Sequence, residues 1–167
     1  MVPGERTDPK AVDEAVAFYE ALGKVPRVLG KEIQGFVANR LQRAIFRECC
    51  YLVQQGVCTV DQLDDIVTNS VGLRWAVNGP FSSFHMGGGP DGFTGFFKQF
   101  APSMGAAWKS MPPVALDDDL QKLIIEQANA SFGKTPLEQM ERERDDKQIA
   151  LLRALASVPS RDGSSRS

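Results

Sequence analysis

The sequence predicts an all-α protein, and three observations carry this prediction. Apolar residues recur at spacings of three and four along several segments, which is typical of helices that bury one face. Residues that favour helix starts precede these segments, and glycines follow several of them. The sequence contains neither the alternating apolar–polar pattern of strands nor an internal repeat. We therefore expect one domain of five or six helices over residues 1–157.

The first two helices are placed by their ends. Thr7 or Asp8 can cap a helix whose first position is Pro9, and Gly23 can end it. The clearest helix covers residues 35–55, with an apolar stripe on one side and most of its arginines on the other. Between these two helices we expect a short extended or loop segment.

The middle of the chain is rich in turn-forming residues. Gly56 ends the long helix, and Thr59 is expected to cap a short helix with an acidic first turn. Residues 71–92 hold six of the fifteen glycines, two prolines, a tryptophan, two phenylalanines and the only histidine. Because a solvated linker would not carry so many large apolar groups, we predict an irregular loop that is ordered against another surface.

Three further helices follow this central segment. The first is rich in aromatic residues, the second has an acidic start, and the third begins directly after a proline. They are placed at residues 92–111, 116–133 and 137–158. The remaining tail, residues 158–167, is polar and is expected to be disordered.

Composition excludes several classes of function. The net charge of -2 offers no field that would attract nucleic acid. No apolar run reaches the roughly 18 residues of a membrane span, and no signal-peptide pattern opens the chain. We therefore expect a cytoplasmic protein that binds neither nucleic acid nor membranes.

The cysteines and glycines do not form a known chemical motif. The odd cysteine count, with Cys49 and Cys50 adjacent and Cys58 nearby, fits free buried thiols in a reducing compartment. No CxxC pair is present, and the single histidine is distant, so we expect no metal site. The glycines at residues 87–92 lack the spacing and the preceding strand of a dinucleotide-binding fingerprint.

Several segments resemble one enzyme family. Gly35-Phe36 and Asn39-Arg40-Leu41, the following helix and Gly79-Pro80-Phe81 resemble the C-terminal domain of the 3-hydroxyacyl-CoA dehydrogenases. Later stretches are similar to the branch of this family that oxidises L-carnitine and L-gulonate; they are "GLRWAVNGPF", "FFKQFAP" and "ERERDDKQIALLRALAS". The resemblance covers nearly the whole chain from Val2 and implies an all-α fold of the 6-phosphogluconate dehydrogenase C-terminal type.

The resemblance also implies an NAD-dependent oxidation of a 3-hydroxy acid or a 3-hydroxyacyl substrate. In the family, NAD and a catalytic histidine–glutamate pair belong to an N-terminal Rossmann domain, which should lie upstream of this sequence. Residues 1–8 would then be a remnant of the interdomain linker, and this chain alone would bind no cofactor and be inactive. The asparagine that matches Asn39 lies across the cleft from the histidine, where its neutral amide can bind the histidine or the substrate oxygen. From the residues alone, a solvent-facing or capping role of Asn39 would be favoured, and the matched motif reverses this preference.

Four residues of the central segment are candidate substrate ligands. Arg74 matches an arginine of the relatives and could hold a carboxylate by two hydrogen bonds, while a structural salt bridge is the alternative. Trp75 and Phe81 could wall a pocket suited to a quaternary ammonium, although such residues also fill cores. For His85, we weigh a role near the substrate against a hydrogen-bonded structural histidine. Arg40, next to Asn39, is expected to form a structural ion pair.

Family membership further implies a homodimer that forms through this domain, with a Rossmann domain in cis or in trans. The alternative is a stand-alone module without enzymatic activity, which dimerises or docks onto a separately encoded Rossmann subunit. A third possibility is that the domain has chemistry of its own, with His85 as a base.

Overall fold

A computed structural model describes residues 1–158 of the chain, and these residues are organised as helices without a strand. The helices are α1 (Pro9–Ala21), α2 (Val37–Gln54), α3 (Val60–Asn69), α4 (Val71–Val77), α5 (Pro80–Gly87), a short 3-10 helix (Gly89–Asp91), α6 (Gly92–Ser110), α7 (Asp118–Phe132) and α8 (Leu137–Ala156). The all-α prediction is confirmed, but these residues contain eight α-helices rather than five or six. The predicted tail lies, from Pro159 onward, outside the described residues.

The chain divides into two compact units, Met1–Ile45 with the chain from Glu141 onward, and Phe46–Met140. All five buried apolar side chains of the described chain belong to the second unit: Cys50, Val53, Leu63, Phe96 and Leu120. Within residues 1–45 and 141–158, by contrast, no side chain is buried. The first unit therefore has no hydrophobic core of its own.

The helix starts follow from side-chain caps. Asp8 accepts a hydrogen bond from the Lys10 backbone N–H at 2.9 Å, so Asp8 rather than Thr7 caps α1. Thr59 and Gln62 form a reciprocal capping box, in which the Gln62 Oε1 accepts from the Thr59 N–H at 3.0 Å. The caps predicted for these helices are thus correct, because they depend only on residues within one turn.

The prediction of an irregular loop at residues 71–92 is wrong, because α4, α5 and the 3-10 helix occupy it. Its glycines allow close packing between helices instead of marking a loop. A Cβ on Gly72 would lie 2.7 Å from the Val67 carbonyl oxygen, and one on Gly88 would lie 2.7 Å from the Phe96 backbone nitrogen. Pro80 occupies the first turn of α5, where its missing N–H costs nothing.

None of the helices in the described part of the chain is long and apolar enough to cross a membrane.

Candidate functional site

The candidate amide, Asn39, lies in the first turn of α2, directly after an unusual backbone turn. Gly35 and Phe36 both have positive φ angles, 80° and 51°, and Phe36 is the one non-glycine residue within residues 1–158 with this property. The Phe36 carbonyl accepts the first helical bond from the Arg40 N–H at 3.2 Å, so α2 begins two residues later than the predicted residue 35. The Asn39 side chain is exposed and makes no hydrogen bond within the described residues, so Asn39 is not a cap.

Two arginines fold back over this turn. A Cβ on Gly35 would lie 2.8 Å from Nη1 of Arg43 and 3.6 Å from Cγ of Arg40. Arg40 donates from Nη1 to the Gln34 carbonyl oxygen at 3.5 Å, and no carboxylate of residues 1–158 forms a salt bridge with it. The ion pair predicted for Arg40 is therefore not found within these residues, where the guanidinium contacts the turn instead. Two guanidinium groups therefore lie at the turn that precedes α2.

Arg74 and Trp75 lie on α4 rather than on a loop. The Arg74 side chain is exposed, and the described chain offers it neither a salt bridge nor a side-chain hydrogen bond. The structural alternative for Arg74, an ion pair, is therefore not found, and its guanidinium is available to an anion. Trp75 is 38% exposed and is thus not a core residue of this chain.

Phe81 and His85 stand one turn apart on α5 and contact the same ring of α6. The ring centroid of Phe93 lies 6.2 Å from that of Phe81 and 5.6 Å from that of His85. The cluster continues into α6, whose Phe93 stacks on Phe97 with centroids 5.4 Å apart. We call Phe81, Phe84, His85, Phe93, Phe96, Phe97 and Phe100 the aromatic cluster. Only Phe96 in it is buried, and Phe81 is 79% exposed, so the cluster presents ring faces and edges to its surroundings.

His85 is seated on Gly92 rather than held by a hydrogen bond. A Cβ on Gly92 would lie 2.2 Å from Cε1 of His85, and Gly92 has φ 54° and ψ -134°. No atom within residues 1–158 forms a hydrogen bond with the imidazole, so the partner expected of a structural histidine is not found there. The sequence analysis did not identify Gly92 and Phe93 as part of the site. The spacing of phenylalanines in "GFTGFF" nevertheless indicates aromatic rings that contact each other along one helix.

A small apolar pocket of about 100 Å³ lies in the second unit, with the thiols on its wall. Its lining residues are Phe46, Cys49, Cys50, Val53, Val60, Leu63, Asp64 and Ile124. Burial, followed by the neighbouring Cys50 and Asp64, raises the pKa of Cys49, and burial also raises the pKa of Cys50. Because the thiolate is the reactive form, these cysteines are poor nucleophiles at neutral pH. The described residues contain no group of three or more side chains that could hold a metal ion.

The structure thus brings four of the five predicted site residues onto the consecutive helices α4 and α5 of the second unit. Asn39 lies in the first unit, in the first turn of α2. Chemically, the second unit offers a free guanidinium and an exposed aromatic cluster, which suit an anion and an organic cation respectively. The first unit offers a neutral amide that can donate and accept hydrogen bonds.

Comparison with known proteins gives a consistent result. The sequence profile of the 3-hydroxyacyl-CoA dehydrogenase C-terminal domain matches residues 35–122. The L-carnitine dehydrogenase of Pseudomonas syringae is 36% identical over 163 residues, which are 98% of this chain and 51% of that protein. The L-carnitine dehydrogenase of Oceanobacillus iheyensis is 35% identical, over 91% of this chain and 50% of that protein. The chain therefore spans about half the length of the curated relatives it matches.

A solved structure resembles the chain over a similar range. The crystal structure of 5-formyl-3-hydroxy-2-methylpyridine 4-carboxylic acid 5-dehydrogenase, described as an NAD+-dependent dismutase, matches with a TM-score of 0.70 and 26% identity. The match covers 93% of this chain and 51% of that one. The all-helical architecture described above is therefore shared with a dehydrogenase.

Proposed function

Since this chain belongs to the family of 3-hydroxyacyl-CoA dehydrogenase C-terminal domains, we propose that it is the helical half of an NAD-dependent dehydrogenase. Its substrate is a small 3-hydroxy acid of the L-carnitine kind. The main support is the similarity to L-carnitine dehydrogenases, which extends over 98% of the chain at 36% identity. The chain is proposed to complete the substrate site and to be inactive without its nucleotide-binding half.

The proposed reaction oxidises a secondary alcohol to a ketone. NAD, bound by the other half, accepts the hydride, and a base of that half accepts the hydroxyl proton. In this chain, Asn39 is proposed to hydrogen-bond the reacting oxygen or the base. Its amide suits both because it donates and accepts while remaining neutral at every working pH. Support comes from its exposed position and from the absence of any competing hydrogen bond within the described residues.

The substrate class is proposed from the charges that the second unit can neutralise. L-Carnitine carries a carboxylate and a quaternary ammonium group. The free guanidinium of Arg74 is proposed to bind the carboxylate by a bidentate pair of hydrogen bonds. Trp75 and the aromatic cluster, with Phe81 79% exposed, are proposed to attract the ammonium by cation–π interaction. His85 lies within this cluster and would line the same region. An acyl-CoA thioester lacks the quaternary ammonium, so the aromatic rings favour the carnitine-like acid.

The proposed partners follow from apolar surface that the chain leaves uncovered. In α2, Val37 is 45% and Leu41 57% exposed, and in α6 Phe97 is 55% exposed. We propose that apolar side chains of this kind are covered by a second copy of this chain in a two-fold interface. A stand-alone docking module would also use this surface, and the coreless first unit is the observation that favours it.

A fusion protein tests the proposal. The N-terminal half of the Pseudomonas syringae L-carnitine dehydrogenase, which this chain leaves unmatched, is joined to Met1 of this chain. We expect NADH formation that depends on L-carnitine, and a fall in kcat of about a hundredfold for Asn39→Ala, as for loss of one polar group at a developing charge. Asn129→Ala, at an exposed position of α7, is the matched control and should leave kcat unchanged.

Two further measurements separate the alternatives. The chain alone should not quench or enhance NADH fluorescence, and light scattering should give the mass of a dimer. A well-folded fusion protein that oxidises no 3-hydroxy acid would refute the enzymatic proposal and leave the docking module. Saturable NADH binding by the chain alone would contradict the assignment of the nucleotide site to the other half.

A further inference from the structure

The small apolar pocket of the second unit is built on helices and not on loops. α3 and α7 are joined by a long-range bond, in which the Gln127 Oε1 accepts from the Val60 N–H at 2.9 Å. α2 contributes one face to the pocket, because its lining residues recur at spacings of three and four. These residues are Phe46, Cys49, Cys50 and Val53. The walls are therefore held in place by three helices of the same unit.

The pocket has an apolar floor and a mouth that combines an aromatic ring with a carboxylate. Among its lining residues, Cys50, Val53 and Leu63 are buried, so they form the floor. Phe46 is 54% exposed and Asp64 is also exposed, so these two side chains lie towards the solvent. A molecule that enters would therefore have apolar surface at its inner end and a ring and a carboxylate at its outer end.

The carboxylate at the mouth favours a positively charged group. No group within residues 1–158 forms a hydrogen bond or a salt bridge with the Asp64 carboxylate. Burial, followed by the charges of Asp65 and Asp61, raises the pKa of Asp64. A cation beside Asp64 would offset these effects, because an opposite charge stabilises the ionised carboxylate. An anion at the same place would be repelled.

The volume of the pocket and the nature of its walls narrow the class of ligand further. A cavity of about 150 Å³ holds benzene with its six carbons, so the pocket of about 100 Å³ accommodates about four carbons. Carbons that leave water for aliphatic side chains and thiols are stabilised by the hydrophobic effect. An aromatic ring such as that of Phe46 attracts a cation. A short alkyl chain with a positively charged head satisfies all of these conditions.

We propose that the small apolar pocket binds a short alkylammonium ion, the protonated form of an aliphatic amine of about four carbons. The alkyl chain lies against Cys50, Val53 and Leu63, and the ammonium group lies at the mouth beside Asp64 and Phe46. The site contains no residue of the aromatic cluster and neither Asn39 nor Arg74. The inference therefore does not depend on the proposed function.

Three probes that share a four-carbon skeleton and differ in the charge of the head test the proposal on the complete chain. They are n-butylammonium, n-butanol and butyrate, and two-dimensional NMR follows the amide signals of Cys49, Leu63 and Asp64 in each titration. We expect n-butylammonium to shift all three signals with a Kd on the order of 1 mM. The neutral n-butanol should bind about fivefold more weakly, and butyrate more weakly still.

Two amide substitutions on α3 test the role of the carboxylate. Asp64→Asn retains the size of the side chain and removes its charge, so it should weaken n-butylammonium binding about fivefold, to the level of n-butanol. It should leave n-butanol binding unchanged. Asp65→Asn is the matched control, since Asp65 is an exposed carboxylate of the same helix that does not line the pocket. It should change neither affinity by more than about twofold.

The probes alone can overturn the proposal, even if a variant fails to fold. Equal affinities of the unaltered chain for n-butylammonium and n-butanol would leave an apolar cavity without preference for a cation. Shifts confined to amides outside the lining residues would show that the amine binds elsewhere. A lysine side chain carries the same chemical group. Signals of the lining residues that shift with protein concentration alone would therefore assign the pocket to a second copy of this chain and overturn the binding of a free amine.

Discussion

Replacement of Gly92 by alanine should displace His85 and loosen the contact between α5 and α6. The new Cβ would lie 2.2 Å from Cε1, 2.7 Å from Nδ1 and 2.8 Å from Nε2 of the imidazole. Carbon atoms in contact are separated by about 3.5–4.0 Å, so the ring must move by more than about 1 Å. Gly92 also has φ 54° and ψ -134°, a conformation that side chains with a Cβ rarely adopt.

The expected loss of stability has two parts. The backbone strain costs about 1–3 kcal/mol, and displacement of the ring adds about 1 kcal/mol or more as an overpacked contact. Gly89→Ala is the matched control, since Gly89 has φ 65° and no atom within 4 Å of its added Cβ. It should cost only the left-handed penalty of about 1–2 kcal/mol.

Urea unfolding and proton NMR measure the two effects separately. Because His85 is the single histidine, its ring protons give one set of signals, which Phe93 shifts through its ring current at 5.6 Å. Gly92→Ala should remove this shift, and Gly89→Ala should retain it. In a double-mutant cycle, His85→Ala should recover about 1 kcal/mol in the Gly92→Ala background. Equal stabilities for the two alanine variants, together with an unchanged histidine signal, would refute the seating of His85 on Gly92.

Two further predictions concern the second unit. Burial raises the pKa of both Cys49 and Cys50, so the folded state keeps protons that the unfolded chain releases above about pH 8.5. The free energy of unfolding should therefore fall as pH rises above that value. Urea unfolding at pH 7–10 measures this fall, which should be smaller in the Cys49→Ala, Cys50→Ala double variant. An equal fall in the variant and the original chain would contradict the assignment of the pH dependence to these two thiols. Thr59→Ala removes the capping box of α3 and should cost about 1 kcal/mol in thermal unfolding. Thr68→Ala, whose hydroxyl bonds only groups of its own helix, should cost a few tenths of a kcal/mol, and equal losses would argue against the box.

Local features of the fold were predictable because they depend on neighbouring residues. Asp8 and Thr59 cap helices through bonds to residues two and three positions away, which the sequence contains in full. The central segment was mispredicted because its glycines were interpreted only as turn formers. Gly72 and Gly88 instead allow backbone atoms of other helices to approach, and such contacts depend on tertiary packing that no local pattern encodes.

The candidate site, too, was predictable only where it depends on residue type and not on tertiary packing. The residue types of Arg74 and Phe81 suggested a site for an anion and an aromatic surface. Only the structure shows that the guanidinium has no side-chain partner within residues 1–158 and that Phe81 contacts the ring of Phe93. The seat of His85 on Gly92 was not predictable, because it joins a side chain of α5 to a backbone position of α6. The role of Asn39 stays a prediction, since its proposed partners lie outside this chain.

The apolar stripe of α2 illustrates what periodicity can and cannot specify. Along one helix with one period, Cys50 and Val53 are buried at 3% and 4% exposure, whereas Leu41 and Ile45 are 57% and 40% exposed. The buried residues face α3 and α7 across the small apolar pocket. The apolar periodicity is the same along the whole helix, so the difference in exposure depends on whether other elements of the chain cover the stripe. Since exposing such a stripe forfeits about 25 cal/mol for each Å², its uncovered part is best explained as an interface. A second copy of this chain and a nucleotide-binding half are the two partners that we propose for it.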